Sequence, residues 1–173
     1  LYREEFFNPF FARAINVSDN SIGLTTRDIL LVEGTTRDGD TLIVLVNHFP
    51  SKRGGASADH KRAHVAEKLR NTLDTITINH PSSSIIAVGD FNASPDEKEI
   101  AHILMRGDGA FCNLMARMKR GMGSHNYQGQ WSFLDQIIVL CSMTCSGSPL
   151  QVVGGKACLF APDFMLVDDK RNL

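Results

Sequence analysis

Apolar positions fall along this chain in short runs separated by charge and glycine. Ile29-Leu30-Leu31-Val32 lies within residues 28–33, and Leu42-Ile43-Val44-Leu45-Val46 within residues 41–47. Both runs are short and rich in strand-forming residues, so each predicts a β-strand. Arg37-Asp38-Gly39-Asp40 separates them, and Asp-Gly is a strong hairpin signal, so the pair is expected to be antiparallel. Their unbroken apolar character predicts cover on both faces.

After the polar stretch Pro50-Ser51-Lys52-Arg53-Gly54-Gly55 the period changes. Across residues 58–78, Ala63, Ala66, Leu69, Leu73 and Ile76 recur three or four positions apart, with Lys61, Lys68 and Arg70 elsewhere. That spacing predicts an amphipathic helix. His80-Pro81 should end it, because the residue before proline is pushed out of helical geometry. Residues 84–88 predict a third strand. Ser94-Pro95-Asp96-Glu97 has the form of a helix start, with Ser94 as cap and Glu97 at the capping-box position, for a helix running to about Met105. Residues 133–140 predict a strand interrupted by Asp135, residues 142–155 a loop, and residues 159–166 a short strand around Ala161-Pro162. Strands alternating with helices, together with a hairpin, define an α/β domain with mixed sheets.

Composition adds limits. A chain of 173 residues suits one domain, and 43% apolar with 21% charged residues is outside the disordered class. Eighteen Lys and Arg against nineteen Asp and Glu give a formal net charge of −1, so no global positive field draws the chain to nucleic acid. Phosphate recognition must then come from a few placed cations. The four cysteines, Cys112, Cys141, Cys145 and Cys158, form no CxxC pair and no zinc pattern. Free or buried thiols are expected, with a Cys141–Cys145 bridge left open. The apolar runs are too short to span a membrane.

Chemistry concentrates at Gly89-Asp90-Phe91-Asn92, directly after the third strand. A strand delivers Asp90 to its carboxyl end, where α/β folds build sites. Asp90 and Asn92 are two positions apart and would point the same way in extended geometry. A carboxylate beside an amide oxygen suits Mg²⁺ or Mn²⁺ or a polarised water. The same residue types also favour a tight turn, so both readings stand for the tetrapeptide alone. Asn47-His48 ends an earlier strand, and Asp135 breaks an apolar one. A buried Asp135 needs a partner, and a histidine is a natural one for orienting a general base.

Four segments in order resemble the endonuclease/exonuclease/phosphatase superfamily with its deoxyribonuclease-I-like fold. They are Thr26-Arg27-Asp28-Ile29-Leu30, Val46-Asn47-His48-Phe49-Pro50, Val88-Gly89-Asp90-Phe91-Asn92 and Trp131-Ser132-Phe133-Leu134-Asp135-Gln136-Ile137. The resemblance implies an α/β fold, a two-sheet β-sandwich flanked by helices. It also implies roles. Arg27 looks like the phosphate-contacting arginine and His48 like the histidine that hydrogen-bonds or protonates the phosphate. Asp90 looks like the carboxylate that activates water or holds metal, and Asn92 like its companion in stabilising the transition state. Asp135 looks like the aspartate that orients a second histidine. Lys52 and Arg53 follow His48 in a glycine-flanked loop and could bind a second phosphate or an anionic headgroup.

The chain departs from the family pattern at both ends. No Asn followed by a metal-binding Glu precedes Arg27, Glu33 is in the wrong order for that role, and no Ser-Asp-His segment follows Asp168-Asp169-Lys170. His102 and His125 do not match the motif. Residues 1–173 therefore read as the central and C-terminal part of one catalytic domain, with the first and last strands of the full domain missing. The expected parent reaction is Mg²⁺- or Mn²⁺-dependent hydrolysis of a phosphate ester by in-line attack of water, on nucleic acid, a phospholipid headgroup or a small phosphate ester. This chain alone is expected to be inactive and to self-associate through open sheet edges. A non-catalytic binding module is the alternative.

Overall fold

The computed structural model describes residues 2–107, 109–119, 121–162 and 164. Strands β1 (Phe7–Ile15), β2 (Ile29–Thr36), β3 (Thr41–His48), β4 (Ser84–Asp90), β5 (Phe111–Asn113) and β8 (Asp135–Leu140) form one mixed sheet in the order β1-β2-β3-β4-β8-β5. Strands β6 (His125–Tyr127) and β7 (Gln130–Ser132) make a separate two-stranded ribbon. Helix α1 (Ala56–Asn79) connects β3 to β4, which run parallel, while every other neighbouring pair described is antiparallel.

The expected hairpin is present. Gly39 turns it at φ 90°, a conformation that favours glycine, and its N–H donates to Thr36 O at 3.0 Å. The core forms where one face of this sheet meets α1. Ile29, Leu31, Ile43, Leu45, Ile85, Ala87 and Ile138 come from the sheet, and Val65, Ala66, Leu69, Leu73 and Ile76 from the helix. Burying each large aliphatic side chain contributes about 1.5–3 kcal/mol, which is what fixes the helix to the sheet. His80 ends α1 as expected, its N–H donating to Ile76 O at 2.8 Å before Pro81.

Several expectations are corrected. Cover on both faces holds only in part. On the face opposite α1, Val139, Leu114 and Met143 form a second cluster, but Leu30 and Val46, register partners on β2 and β3, remain 44% and 42% exposed. Arg70 is not a solvated helix charge. It is 7% exposed and pairs with Asp74 at 2.8 Å, its guanidinium lying over the Phe111 ring. The helix expected after Ser94 winds only over Glu99–Leu104 and is π-helical. Ser94 does not cap it through its side chain. Glu97 reaches back to accept the Ser94 N–H at 2.9 Å, half of a capping box closing a turn.

The cysteines also differ from expectation. Cys112 on β5 and Cys141 just past β8 form a disulfide, and Cys145 and Cys158 are free and exposed. Sequence spacing could not reveal this pair, because antiparallel pairing of β5 with β8 is what brings the two residues together. Residues 159–162 form no strand, and the rest of the strand expected at 159–166 lies outside the described residues except Phe164, as do Asp168, Asp169 and Lys170. β1 had no sequence signal. It lacks clean alternation and carries Pro9, which the edge position and a register shift between Pro9 and Phe11 accommodate.

Candidate active site

The carboxyl ends of β3 and β4 and the start of β8 meet at one place. His48 is in register with Asp90 across the parallel pair, and Asp90 with Asp135 across the antiparallel pair. Register partners share a face, so His48, Asp90 and Asp135 form a row across three strands. His48 Nε2 lies 3.8 Å from Asp90 Oδ2, too far for a hydrogen bond, and both side chains are partly exposed. Each therefore keeps hydrogen-bonding capacity for a third group placed against them.

Two loops carry this row and lock each other. Phe49 follows His48 and Phe91 follows Asp90, and their buried rings lie with centroids 4.7 Å apart. Phe49 N–H donates to Asp90 O, and Phe91 N–H to Leu134 O, both at 2.9 Å. Gln136, 1% exposed, donates from Nε2 to Ala93 O and Phe133 O, tying the loop after Asp90 to β8. Gly89 permits the close approach of β3 and β4. Its φ is 135°, and a Cβ there would lie 1.9 Å from Asn47 O.

Asn92 sits at φ 47°, off the strand, so the expectation that it points with Asp90 by extended geometry is corrected. Its backbone N–H donates to Asp90 Oδ1 at 2.8 Å, so the tetrapeptide is a tight turn and a cluster of polar groups at once. Asn92 Nδ2 donates to Phe49 O at 3.0 Å, which leaves Oδ1 as the uncommitted end of the amide.

Asp135 is exposed and begins β8, so the burial that motivated a histidine partner is absent. Ser124 Oγ donates to its Oδ2 instead, and among the described residues no histidine pairs with it. Ser124 had no signal in the sequence. Arg27, Arg53 and His48 line one cavity of about 420 Å³. Lys52 does not join them, because its Nζ is ion-paired to Glu97. Lys61, from the first turns of α1, lines the cavity and was missed, since helical period alone reads it as a solvated charge.

The donors bear on a cation. Asp90 and Asp135 place two carboxylates directly opposite one another, an arrangement that repels unless something offsets it. Asn92 Oδ1 adds a neutral oxygen. Among the described residues, no group of three or more His, Cys, Asp or Glu is placed to hold a metal ion by itself. Mg²⁺ commonly binds through one or two carboxylates, substrate phosphates and retained waters, so these oxygens fit part of such a shell.

The α/β sheet, with His48, Asp90 and Asn92 gathered where its strands end, is of the deoxyribonuclease-I-like kind, as solved structures show. The family model for the endonuclease/exonuclease/phosphatase family matches residues 1–172, and the chain belongs to that family. Solved structures share its fold at low identity. The human Nocturnin catalytic domain with bound sulfate is 17% identical with a TM-score of 0.60, over 79% of this chain and 49% of that one. Truncated Caenorhabditis elegans TDP2 is 15% identical with a TM-score of 0.58, over 78% and 53%. A Bacteroides thetaiotaomicron mannosyl-6-phosphatase is 16% identical with a TM-score of 0.56, over 82% and 55%. The chain thus spans about half the length of these neighbours. No curated protein matches it.

Proposed function

We propose that this chain carries the phosphate-binding and water-orienting part of a divalent-metal-dependent phosphoesterase. The observation that carries the reading is the row His48, Asp90 and Asp135 at adjoining strand ends, with Asn92 beside it and a cation-lined cavity next to His48. Membership of the family supports the reaction class, and neighbours named for a phosphatase and for bound sulfate agree with it.

Each side chain has a definite task in this reading. His48 donates from its imidazole to a non-bridging phosphoryl oxygen. Asp90, with Oδ1 already held by the Asn92 N–H, keeps Oδ2 for orienting the attacking water and accepting its proton. Asn92 and Asp90 would hold Mg²⁺ or Mn²⁺, which supplies charge neutralisation on the phosphoryl oxygens. Asp135, held by Ser124, faces Asp90 and keeps the local field negative on the water's side. Arg27 meets the phosphate from the cavity side.

A second reading is a phosphate-binding module without turnover, favoured by the lack of a self-sufficient metal cluster among the described residues. One experiment separates the two. Phosphomonoesters, phosphodiesters and DNA are incubated with the chain and Mg²⁺, beside Asp90→Ala. Turnover that Asp90→Ala lowers about 10²–10⁴-fold supports the enzyme. Turnover unchanged in Asp90→Ala sinks the site assignment, and phosphate binding without turnover, in this chain and in the chain together with any flanking sequence, selects the module.

A further inference from the structure

The cavity beside His48 holds more positive charge than one phosphate needs. Arg27 enters from the segment before β2, Arg53 from the loop after β3, and Lys61 from α1. None of the three has an ion-pair partner among the described residues, although Lys52, next to Arg53, has one. Among the described residues no acidic side chain lines the cavity, whereas Thr25, Thr26, Ser51 and Ser57 bring hydroxyl groups to it. In a chain whose net charge is −1, this is a local positive field, and the chain as a whole does not attract anions.

The wall is also braced. Buried Arg62 donates to Ser51 O at 3.2 Å and pairs with buried Glu99 at the same distance, which fixes the loop that carries Arg53. Gly54 and Gly55, at φ 115° and 57°, then turn that loop into α1, so Arg53 and Lys61 come to one cavity. Three cations brought together without counter-charges repel one another, and an anion with several oxygens offsets that cost. A volume of about 420 Å³ exceeds what a single phosphoryl group fills, and His48 stands at its edge shared with Asp90.

We infer that this cavity is a subsite for a second phosphate group of the substrate, so that the site selects phosphate esters bearing two phosphates. The inference rests on the hydrolytic reading for the position of the first phosphate. The second is held by Arg53 and Lys61, with Arg27 shared between the two, and the carbon skeleton spans from His48 into the cavity.

Binding is measured by calorimetry in EDTA, without turnover, so the result does not depend on the catalytic reading. The probes are orthophosphate and propane-1,3-diyl bisphosphate. The bisphosphate should bind the wild-type chain at least about tenfold tighter than orthophosphate. The double variant Arg53→Gln/Lys61→Gln should lose that advantage, while Lys68→Gln, an equal charge change per site on the exposed side of the same helix, should keep it. Amide resonances of Thr25, Thr26, Ser57 and Ala58 should shift with the bisphosphate, which reads the cavity even if the double variant is unstable. Equal affinity for the two probes overturns the inference. So does equal weakening by Lys68→Gln, or shifts confined to residues away from the cavity. Asp90→Ala should still bind the bisphosphate. If hydrolysis survives in that variant, the catalytic reading fails, and the calorimetric result still decides the subsite.

Discussion

Single residues set the site more than their chemistry alone indicates. Gly89 contributes no functional group, yet it controls how closely β3 and β4 approach below His48 and Asp90. Gly89→Ala introduces a Cβ against Asn47 O and a side chain at an unfavourable φ. At least about 1–3 kcal/mol of stability should be lost, as read by thermal melting. An unchanged melting temperature would refute the close approach. Glu97 acts on acid stability. Burial raises its pKa, but the hydrogen bond from Lys52 and the N–H of Ser94 outweigh this and hold it below its ordinary value. A depressed folded pKa contributes stability above the unfolded value, about 4.3 for Glu, which is lost as pH falls through the folded value. Melting followed from pH 6 to 2.5 should therefore show a steeper acid limb in the wild-type chain than in Glu97→Gln. Superimposable limbs would remove the Lys52–Glu97 pair from the acid response.

At the scale of elements, the joint between α1 and the π-helical turn Glu99–Leu104 is electrostatic at its centre. Arg62 and Glu99 are 2% and 5% exposed. Breaking such a pair leaves a buried charge, so Arg62→Met should cost about 3–5 kcal/mol in urea denaturation, and Arg62→Met/Glu99→Met should recover most of it. A double variant as unstable as the single would mean that Arg62 acts through Ser51 O and Asp59 instead. That loop contact links the joint to the cavity wall, so a weakened joint should also weaken anion binding. The element reading from sequence was good where period and punctuation agreed, as in the β2–β3 hairpin and α1. It failed where neighbours decide. The segment after Ser94 carries helix-start chemistry, but Glu97 is drawn to Lys52 from another loop, and the helix forms later.

For the whole molecule, the disulfide ties the edge strand β5 to its neighbour β8. Cys112 and Cys141 are 29 residues apart, and closing such a loop restricts the unfolded chain. Replacing both with serine should cost about 3–4 kcal/mol. Thiol titration of the native chain should count two reactive groups, Cys145 and Cys158, and four after reduction and unfolding. Four before reduction would show the bridge unformed.

The sequence by itself determined the local pieces and the family. Alternating and helical periods, Asp38-Gly39, His80-Pro81 and the four ordered motifs are properties of contiguous residues, each readable from its own segment. They placed His48 and Asp90 at strand ends and brought Arg27, Lys52 and Arg53 forward as candidate phosphate contacts. Tertiary structure decided what touches what. It put Asp135 opposite Asp90 and gave it Ser124, diverted Lys52 to Glu97, brought Lys61 to the cavity, buried Arg70, paired Cys112 with Cys141, and left Leu30 and Val46 partly exposed. These outcomes depend on strand register and on which distant segment packs where. Those are set by the summed burial of many side chains far apart in the chain, and no single stretch of sequence carries that sum.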